Sequence, residues 1–284
     1  MDEMFKDVFS GGAFEGVYEL LNVTLLGGEK YEAASDLVTD AYHGLMVPIA
    51  LSLLVIFFVC TLVEKSTNEQ FTYEQLFLLF AKLVIGVFLI DKGLQLMIEF
   101  QQFGLSFLSE FKGFTDEAGL NGGGINIDDS EPLKEMYFRM TGATWPEEPG
   151  FFDAVKRIFN GGTFTLLLAW LFTFIVKCVV YLIVFMRILE IYVRTLFAPI
   201  ALSDVFYQGL NSTGFRFLKS YLAVSLQLVM IYGCVVLYGV IASDLAADAS
   251  AKTIFLLKYM GLTGATIGIL LKSQSLIKEL LGAN

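Results

Sequence analysis

The stretch of residues 163–202 contains no glycine, and its only proline is Pro199. A helix of this length would extend about 60 Å, twice the thickness of the hydrocarbon core of a bilayer. Two shorter membrane spans would need a turn between them, and the sequence signals none. The stretch therefore predicts one long helix that crosses a membrane over residues 163–186, projects beyond it and ends at Pro199.

The composition supports a membrane protein. Hydrophobic residues make up 56% of the 284 residues, charged residues make up 17%, and the mean hydropathy is +0.66. A soluble domain would carry about 25% charged residues. Residues 44–63 and 220–243 are also uncharged and long enough to cross a bilayer. Ser35 is a candidate helix cap before the first of these spans, and Ser212 or Thr213 before the second.

Two weaker apolar stretches complete the predicted spans. Residues 76–98 follow a capping-box pattern at residues 72–75 and include Lys82. Residues 254–271 carry three glycines near one helical face, which suits close packing of helices. The fold class is therefore an all-α, polytopic membrane protein with about five transmembrane helices, one unusually long, and an acidic extracytoplasmic loop.

Basic residues near the span ends predict the orientation. The ends of the first, third and fourth spans and the tail form one group, which we expect to be cytoplasmic: Lys65, Arg187, Arg194, Arg216, Lys219, Lys272 and Lys278. Residues 1–43 and 99–160 hold most of the 29 acidic residues but only seven of the 19 basic ones. We therefore expect a cell-membrane protein with its N-terminus outside and its C-terminus in the cytoplasm.

The chain accordingly divides into four parts. Residues 1–43 form an acidic extracytoplasmic segment, residues 44–98 two transmembrane helices, residues 99–160 an acidic outer loop, and residues 161–284 a three-helix membrane core. In the first part, Phe14, Val17, Tyr18 and Leu21 share one helical face. That face suits either a membrane or partner surface, or packing on the protein's own spans.

The outer loop combines a triple glycine at residues 122–124, Asp128-Asp129 and a Trp-Pro-Glu-Glu-Pro sequence at residues 145–149. Residues 132–140 predict a short helix within it. An Asp-rich patch can bind Ca²⁺, but this spacing fits no EF-hand, and solvated acidic loops are far commoner.

Charged residues within the long helix form one stripe. At 100° per residue, Arg187, Glu190 and Arg194 lie on one face, so Glu190 can pair with Arg194 at i,i+4 and with Arg187 at i,i+3. This pattern predicts a partly buried ion ladder just past the hydrocarbon. A solvated interfacial face, an aqueous path and a partner-docking surface remain alternatives. Lys82 and Lys177 are the charges predicted to lie inside spans.

No catalytic, cofactor or metal motif is present. His43 is the only histidine, the three cysteines fall inside predicted spans, and no CxxC pattern occurs. The glycine-rich nucleotide motifs and the hydrolase motifs are also missing. The sequence therefore predicts no enzyme, no cofactor and no metal site.

The second half contains MRILEIYVRTLFAPIALSDVFYQGLNSTGFRFLKSYLAVSLQLVMIYGCVVLYGVI. A long helix ends in an Arg-x-x-Glu-Ile-Tyr motif, a break follows at residues 198–200, and a polar linker with Phe215 and Leu218 leads into the next span. This arrangement resembles the TrbL-type polytopic membrane channel subunits of conjugative type IV secretion systems, in the form found on mobile elements of Gram-positive bacteria. The similarity extends from about residue 163 to the C-terminus.

The resemblance implies an inner-membrane channel or scaffold component that supports translocation of single-stranded DNA with its relaxase. The implied partners are further copies of the chain, other secretion subunits including cytoplasmic ATPases, single-stranded DNA in transit, and the lipid bilayer. Arg216 and Lys219 are the candidate cytoplasmic contact with partner or substrate.

A secondary transporter or small membrane channel is the alternative. It would need polar groups at mid-bilayer and usually repeated halves, and no repeated halves are visible here. A pore-forming lysis or toxin-immunity protein fits the size but not the large outer loop.

Overall fold

The computed structural model describes most of the chain. The described residues are 2–9, 14, 16–67, 72–120, 133–135, 137–138, 161–204, 212–247 and 252–282. These residues are nearly all helical, and no β-strand occurs among them. The all-α fold class is therefore confirmed.

The helices are numbered in chain order. They are α1 (Asp2–Phe9), α2 (Val17–Leu21), α3 (Glu32–Ala41), α4 (Val47–Ser66), α5 (Tyr73–Glu117), α6 (Gly161–Leu202), α7 (Thr213–Ala247) and α8 (Lys252–Leu280), with a π-helical turn at Tyr42–Met46.

The first predicted span is part of a longer helix, because α3, the π turn and α4 run on without interruption. The π turn lies where Pro48 removes the N–H that would bond the carbonyl of Gly44. Ser35 was expected to cap this helix, but it lies inside α3, and its Oγ accepts a hydrogen bond from Gly27 N at 2.9 Å. The cap prediction is wrong because the helix begins one turn earlier.

Helix α5 begins where the capping-box pattern predicts, with Leu76 N bonded to Thr72 O at 3.2 Å. It continues to Glu117, well past the predicted end of the second span at residue 98. The first part of the expected outer loop is thus helical. Residues 99–117 contain no proline, and Gly104 and Gly113 do not interrupt the helix. Residues 133–135 and 137–138, within the predicted short helix, are helical as well.

The predicted long helix is a single helix, α6, of 42 residues. The fourth predicted span lies in α7, and its cap is Ser212, whose Oγ accepts a hydrogen bond from Phe215 N at 3.2 Å. A side-chain oxygen that bonds the third amide of a helix satisfies one of the donors left open at its start.

Three helices in the described part of the chain are long and apolar enough to cross a membrane: Glu32–Ser66, Leu167–Leu202 and Thr213–Leu245. They contain the first, third and fourth predicted spans, and they make the chain a candidate multi-pass membrane protein. The second and fifth predicted spans lie in α5 and α8, and their crossing stays a prediction.

The chain forms two compact units. The first comprises Met1–Leu21, Leu108–Phe185 and Val229–Ser273, and the second comprises Asn22–Phe107, Met186–Leu228 and Gln274–Asn284. Four of the long helices, α5, α6, α7 and α8, contribute residues to both units. The four-part division predicted from the sequence follows the expected membrane crossings and stays a prediction.

In the first unit, the N-terminal segment packs against the unit's own helices. Phe14 and Leu21 are 1% exposed, and the Phe14 ring lies 4.6 Å from that of Tyr238. Tyr259 donates a hydrogen bond to Val8 O at 2.7 Å. Of the two alternatives for the amphipathic N-terminal face, the structure therefore selects packing on the protein itself.

The end of α5 also belongs to the first unit. Here Lys112 donates a hydrogen bond to Asp116 at 2.6 Å, one helical turn further on. This bond raises the pKa of the Lys112 ammonium above its ordinary value, since it stabilises the charged form.

In the second unit, a segment without regular structure is held between two helices. Gln101 on α5 accepts a hydrogen bond from Leu26 N at 3.2 Å and donates one to Val23 O at 3.4 Å. Tyr192 on α6 donates to Leu25 O at 2.9 Å. These side chains satisfy backbone groups that would otherwise be buried without partners.

Close helix packing occurs at glycines other than those expected. A Cβ on Gly104 would collide with the backbone oxygen of Ser225, so α5 and α7 approach closely at this point of the second unit. Among the described residues, nothing lies within 4 Å of a Cβ placed on Gly261, Gly264 or Gly268 of α8. In this part of the chain, the close packing predicted at these three glycines therefore does not occur.

Most of the predicted outer loop lies outside the described residues. This applies to the triple glycine, the Asp128-Asp129 pair and the Trp-Pro-Glu-Glu-Pro sequence. The calcium alternative and the loop's acidic surface therefore stay at the level of sequence prediction.

Candidate functional site, a charged network within an apolar helix

The second unit holds the predicted charged stripe of α6. Residues 163–198 contain neither glycine nor proline, so this part of α6 is a continuous helix that fixes the spacing of the three charges. Residues 187–195 of α6 face polar groups from α7 and from the end of α8.

Glu190 is the centre of this network. Its Oε1 lies 2.6 Å from Nη2 and 2.8 Å from Nε of Arg194, so the predicted i,i+4 pair is present. Gln274 on α8 donates a hydrogen bond to the same oxygen. Arg194 Nη1 also donates to Ser220 Oγ on α7 at 2.8 Å. One carboxylate thus links α6 to α8, and its arginine partner links α6 to α7.

Arg187 does not complete the ladder. Its side chain is 4% exposed, and its Nε donates to the backbone oxygen of Val224 on α7 at 3.3 Å. Among the described residues, no carboxylate is in ion-pair contact with it. The expected Arg187–Glu190 pair is therefore wrong, because the guanidinium turns towards a carbonyl on a neighbouring helix. A buried arginine held by a carbonyl keeps its full charge in the site.

A hydroxyl pair lies next to the charges. Thr195 Oγ1 donates to Ile191 O at 2.8 Å and lies 2.9 Å from the hydroxyl of Tyr221. Because the threonine proton is already used, Tyr221 is the donor in the second bond. Tyr221 and Thr195 are both fully buried. Close by on α7, the Oγ of Ser225 is buried and has no hydrogen-bond partner among the residues that the structure describes.

The network lies within the apolar helix α6, with apolar residues on both sides of it. The candidate span runs to Leu202, and Leu189, Val193 and Phe197 expose 64%, 54% and 47% of their surface between and beside the charged residues. Ala50 and Leu54, in the middle of the first span, pack against Leu202. Apolar side chains thus continue beside and beyond the charged residues on the other faces of α6. The position of the charges just past the hydrocarbon stays a prediction, because α6 is longer than a bilayer is thick.

Pro199 also differs from the prediction. It lies inside α6, which ends at Leu202, and Ser203 N bonds Pro199 O at 3.0 Å. Proline removes one hydrogen bond from the helix, but it lies so near the end that only one further turn must form after it. Pro199 therefore marks the last turn of the helix and does not terminate it.

The remaining candidate residues lie apart from this network. Arg216 is exposed on the first turn of α7, and Lys219 is half-buried with its Nζ 5.4 Å from the centre of the Phe215 ring. Lys82 on α5 and Lys177 on α6 are half-buried. Lys177 belongs to the first unit, and Lys82 lines a cavity in the second.

Four members of the network were not predicted from the sequence: Ser220, Tyr221, Gln274 and the carbonyl of Val224. Ser220 and Tyr221 lie at the start of an uncharged span and look like ordinary span residues. Only Gln274 could have been suspected from the sequence, because it is a polar residue close to the end of an apolar stretch.

The arrangement supplies a fixed net charge of +1 from two arginines and one glutamate, surrounded by apolar surface. It contains no pairing of a nucleophile with a base. Among the described residues, no group of histidine, cysteine or acidic side chains could hold a metal ion.

Comparison of the chain with family models, with curated proteins and with solved structures finds no match.

Proposed function

We propose that this protein is a membrane-embedded channel or scaffold subunit of a conjugative type IV secretion system and supports translocation of single-stranded DNA with its relaxase. The observation that carries the proposal is the long helix α6, with Pro199 in its last turn, followed along the chain by a second apolar helix, α7. That order of elements is the one on which the resemblance to TrbL-type subunits rests. Three candidate membrane helices support a membrane location.

In this proposal, several copies of the chain assemble in the membrane, and separate cytoplasmic ATPases supply the energy. The three glycines of α8 have open space around them, which favours close approach of a helix from a second copy. The charged network then gives the subunit a rigid core, because Glu190 and Arg194 tie α6 to two other helices of the second unit.

The experiment that tests this function is deletion of the gene from the mobile element that carries it. We expect DNA transfer to fall to background while growth of the host is unchanged, and a plasmid-borne copy to restore transfer. Genes for secretion ATPases and a relaxase should lie beside it. Transfer at the wild-type frequency after deletion would refute the proposal.

We also propose five transmembrane helices with the N-terminus outside and the C-terminus in the cytoplasm. The basic bias of the span ends supports this orientation. The test uses single cysteines in a chain without its native cysteines. Ser130→Cys, a position outside the described residues, should react with an impermeant maleimide in intact cells. Cys in place of Ser275, which is exposed on α8, should react only after lysis. The reverse labelling pattern would overturn the topology.

A second candidate function is a secondary transporter or small channel. The observation that favours it is the position of Arg187, Glu190 and Arg194 on an apolar helix long enough to cross a membrane, because charges within a membrane often mark transport paths. Ion or solute flux through liposomes that contain only this purified chain distinguishes the two functions. A secretion subunit that acts with partners is expected to show no flux by itself.

A further inference from the structure

Two lysines line an otherwise apolar cavity between α4 and α5 in the second unit. Its wall is formed by Leu54, Phe57, Phe58, Thr61, Lys65, Leu78, Leu79, Lys82, Leu83 and Ser203. Lys65 lies at the end of the first span, and Lys82 lies in the first half of α5. The charged network of α6 does not include this cavity, and the proposed secretion function gives it no role.

Neither lysine has a partner in the part of the chain that the structure describes. Both side chains are half-buried, and no ion pair or hydrogen bond joins either ammonium to another described residue. An ammonium group that is partly removed from water without a counter-charge is costly. Two of them beside one cavity repel each other, and an anion between them would offset both effects.

The hydroxyl groups of the cavity do not provide further donors. Thr61 Oγ1 donates to Phe57 O at 2.8 Å, and Ser203 Oγ donates to Ile200 O at 2.7 Å. Since a hydroxyl has a single proton, the free donors of the described lining are the two ammonium groups. The described polar lining of the cavity therefore carries positive charge from the two lysines and is suited to an anion.

The rest of the cavity is suited to a hydrocarbon chain. Its walls are leucine and phenylalanine side chains, and the neighbouring outer surfaces of α4 and α5 are apolar as well. Val59, Val63 and Phe80 expose 48%, 59% and 49% of their surface. A free phosphate ion would make no use of these walls, whereas a lipid would place its head group on the lysines and its acyl chain along the leucines.

We propose that the cavity binds an acidic phospholipid, with its phosphate between Lys65 and Lys82 and an acyl chain along Leu54, Leu79 and Leu83. This site is independent of the secretion function and holds for either candidate function. Lipids with a net negative charge should bind, and zwitterionic lipids should bind more weakly because their head group also carries a positive charge.

The test uses the full chain in a neutral detergent, with phosphatidylglycerol and phosphatidylcholine as probes and native mass spectrometry as the readout. We expect retained phosphatidylglycerol and little phosphatidylcholine. Lys82→Gln should weaken phosphatidylglycerol binding about fivefold, and the Lys65→Gln, Lys82→Gln double variant should remove the preference. Lys82→Arg should retain it, since the charge is kept.

Lys92→Gln is the matched control. Lys92 lies on the same helix, is exposed, and pairs with Asp91 at 3.3 Å, so its loss should leave lipid binding unchanged. Unaltered melting temperatures would show that the variants fold. Equal binding of both lipids, unchanged binding in the double variant, or displacement of the lipid by inorganic phosphate at equal concentration would each overturn the proposal.

Discussion

Replacement of Glu190 with alanine is expected to destabilise the protein by about 3 kcal/mol or more, because a partly buried ion pair would lose its only acid. The carboxylate accepts bonds from Arg194 and Gln274, and its side chain is 26% exposed. Without it, Arg194 and Arg187 are two like charges on one face of an apolar helix. The yield of folded, monodisperse protein after detergent extraction and its melting temperature measure the loss.

Arg194→Ala is the matched comparison and should cost less. It leaves Glu190 with the hydrogen bond from Gln274 and with the nearby charge of Arg187. Glu190→Gln should lie between the two, because it keeps an acceptor oxygen but removes the charge. Wild-type yield and melting temperature in all three variants would instead indicate a solvated surface, on which such pairs contribute less than about 1 kcal/mol.

The long helices were predictable from the sequence because the signals for them are local. The absence of glycine and of proline before Pro199 predicts α6, and the apolar runs predict the three candidate spans. The starts of α5 at Tyr73 and α7 at Thr213 were predictable for the same reason, since each follows a local pattern of a few residues. At the start of α7 the cap is present as a bond from Phe215 N to Ser212 Oγ.

The partners of the charged residues were not predictable, because they come from distant parts of the chain. Spacing along α6 suggested that Arg187 pairs with Glu190, but a carbonyl of α7 competes for the guanidinium. That competition depends on how α6 and α7 pack in the second unit, which no local pattern encodes. Likewise, Gln274 reaches Glu190 from 84 residues away.

The length of α5 and the glycine contacts illustrate a second limit of structure prediction from the sequence. Acidic residues after position 98 suggested a loop, yet the helix continues to Glu117, because scattered charges on an exposed face do not stop a helix. Glycines on α8 suggested close packing, while the close approach occurs at Gly104 on α5. Composition shows that a glycine permits close approach, but only the fold determines which glycine is used.

Reversal of both charges at the start of α7, with Arg216→Glu and Lys219→Glu, is expected to abolish DNA transfer, as our proposed function requires. Arg216 is exposed and Lys219 is half-buried against the Phe215 ring, so the reversal changes the surface more than the core. A basic surface attracts either phosphate or an acidic protein partner, and reversal replaces that attraction with repulsion. Mating frequency measures the loss.

The matched control is reversal of Lys272 and Lys278 on α8, which changes the net charge by the same amount on the same predicted side of the membrane.

Two further measurements separate the roles of Arg216 and Lys219. If they dock an ATPase, co-purification with that ATPase falls and crosslinks to transferring DNA are lost as a consequence. If they contact DNA, co-purification stays at the wild-type level and the crosslinks alone disappear. Normal mating frequency in the double reversal would exclude both roles and would move the functional surface to the acidic segment before α6.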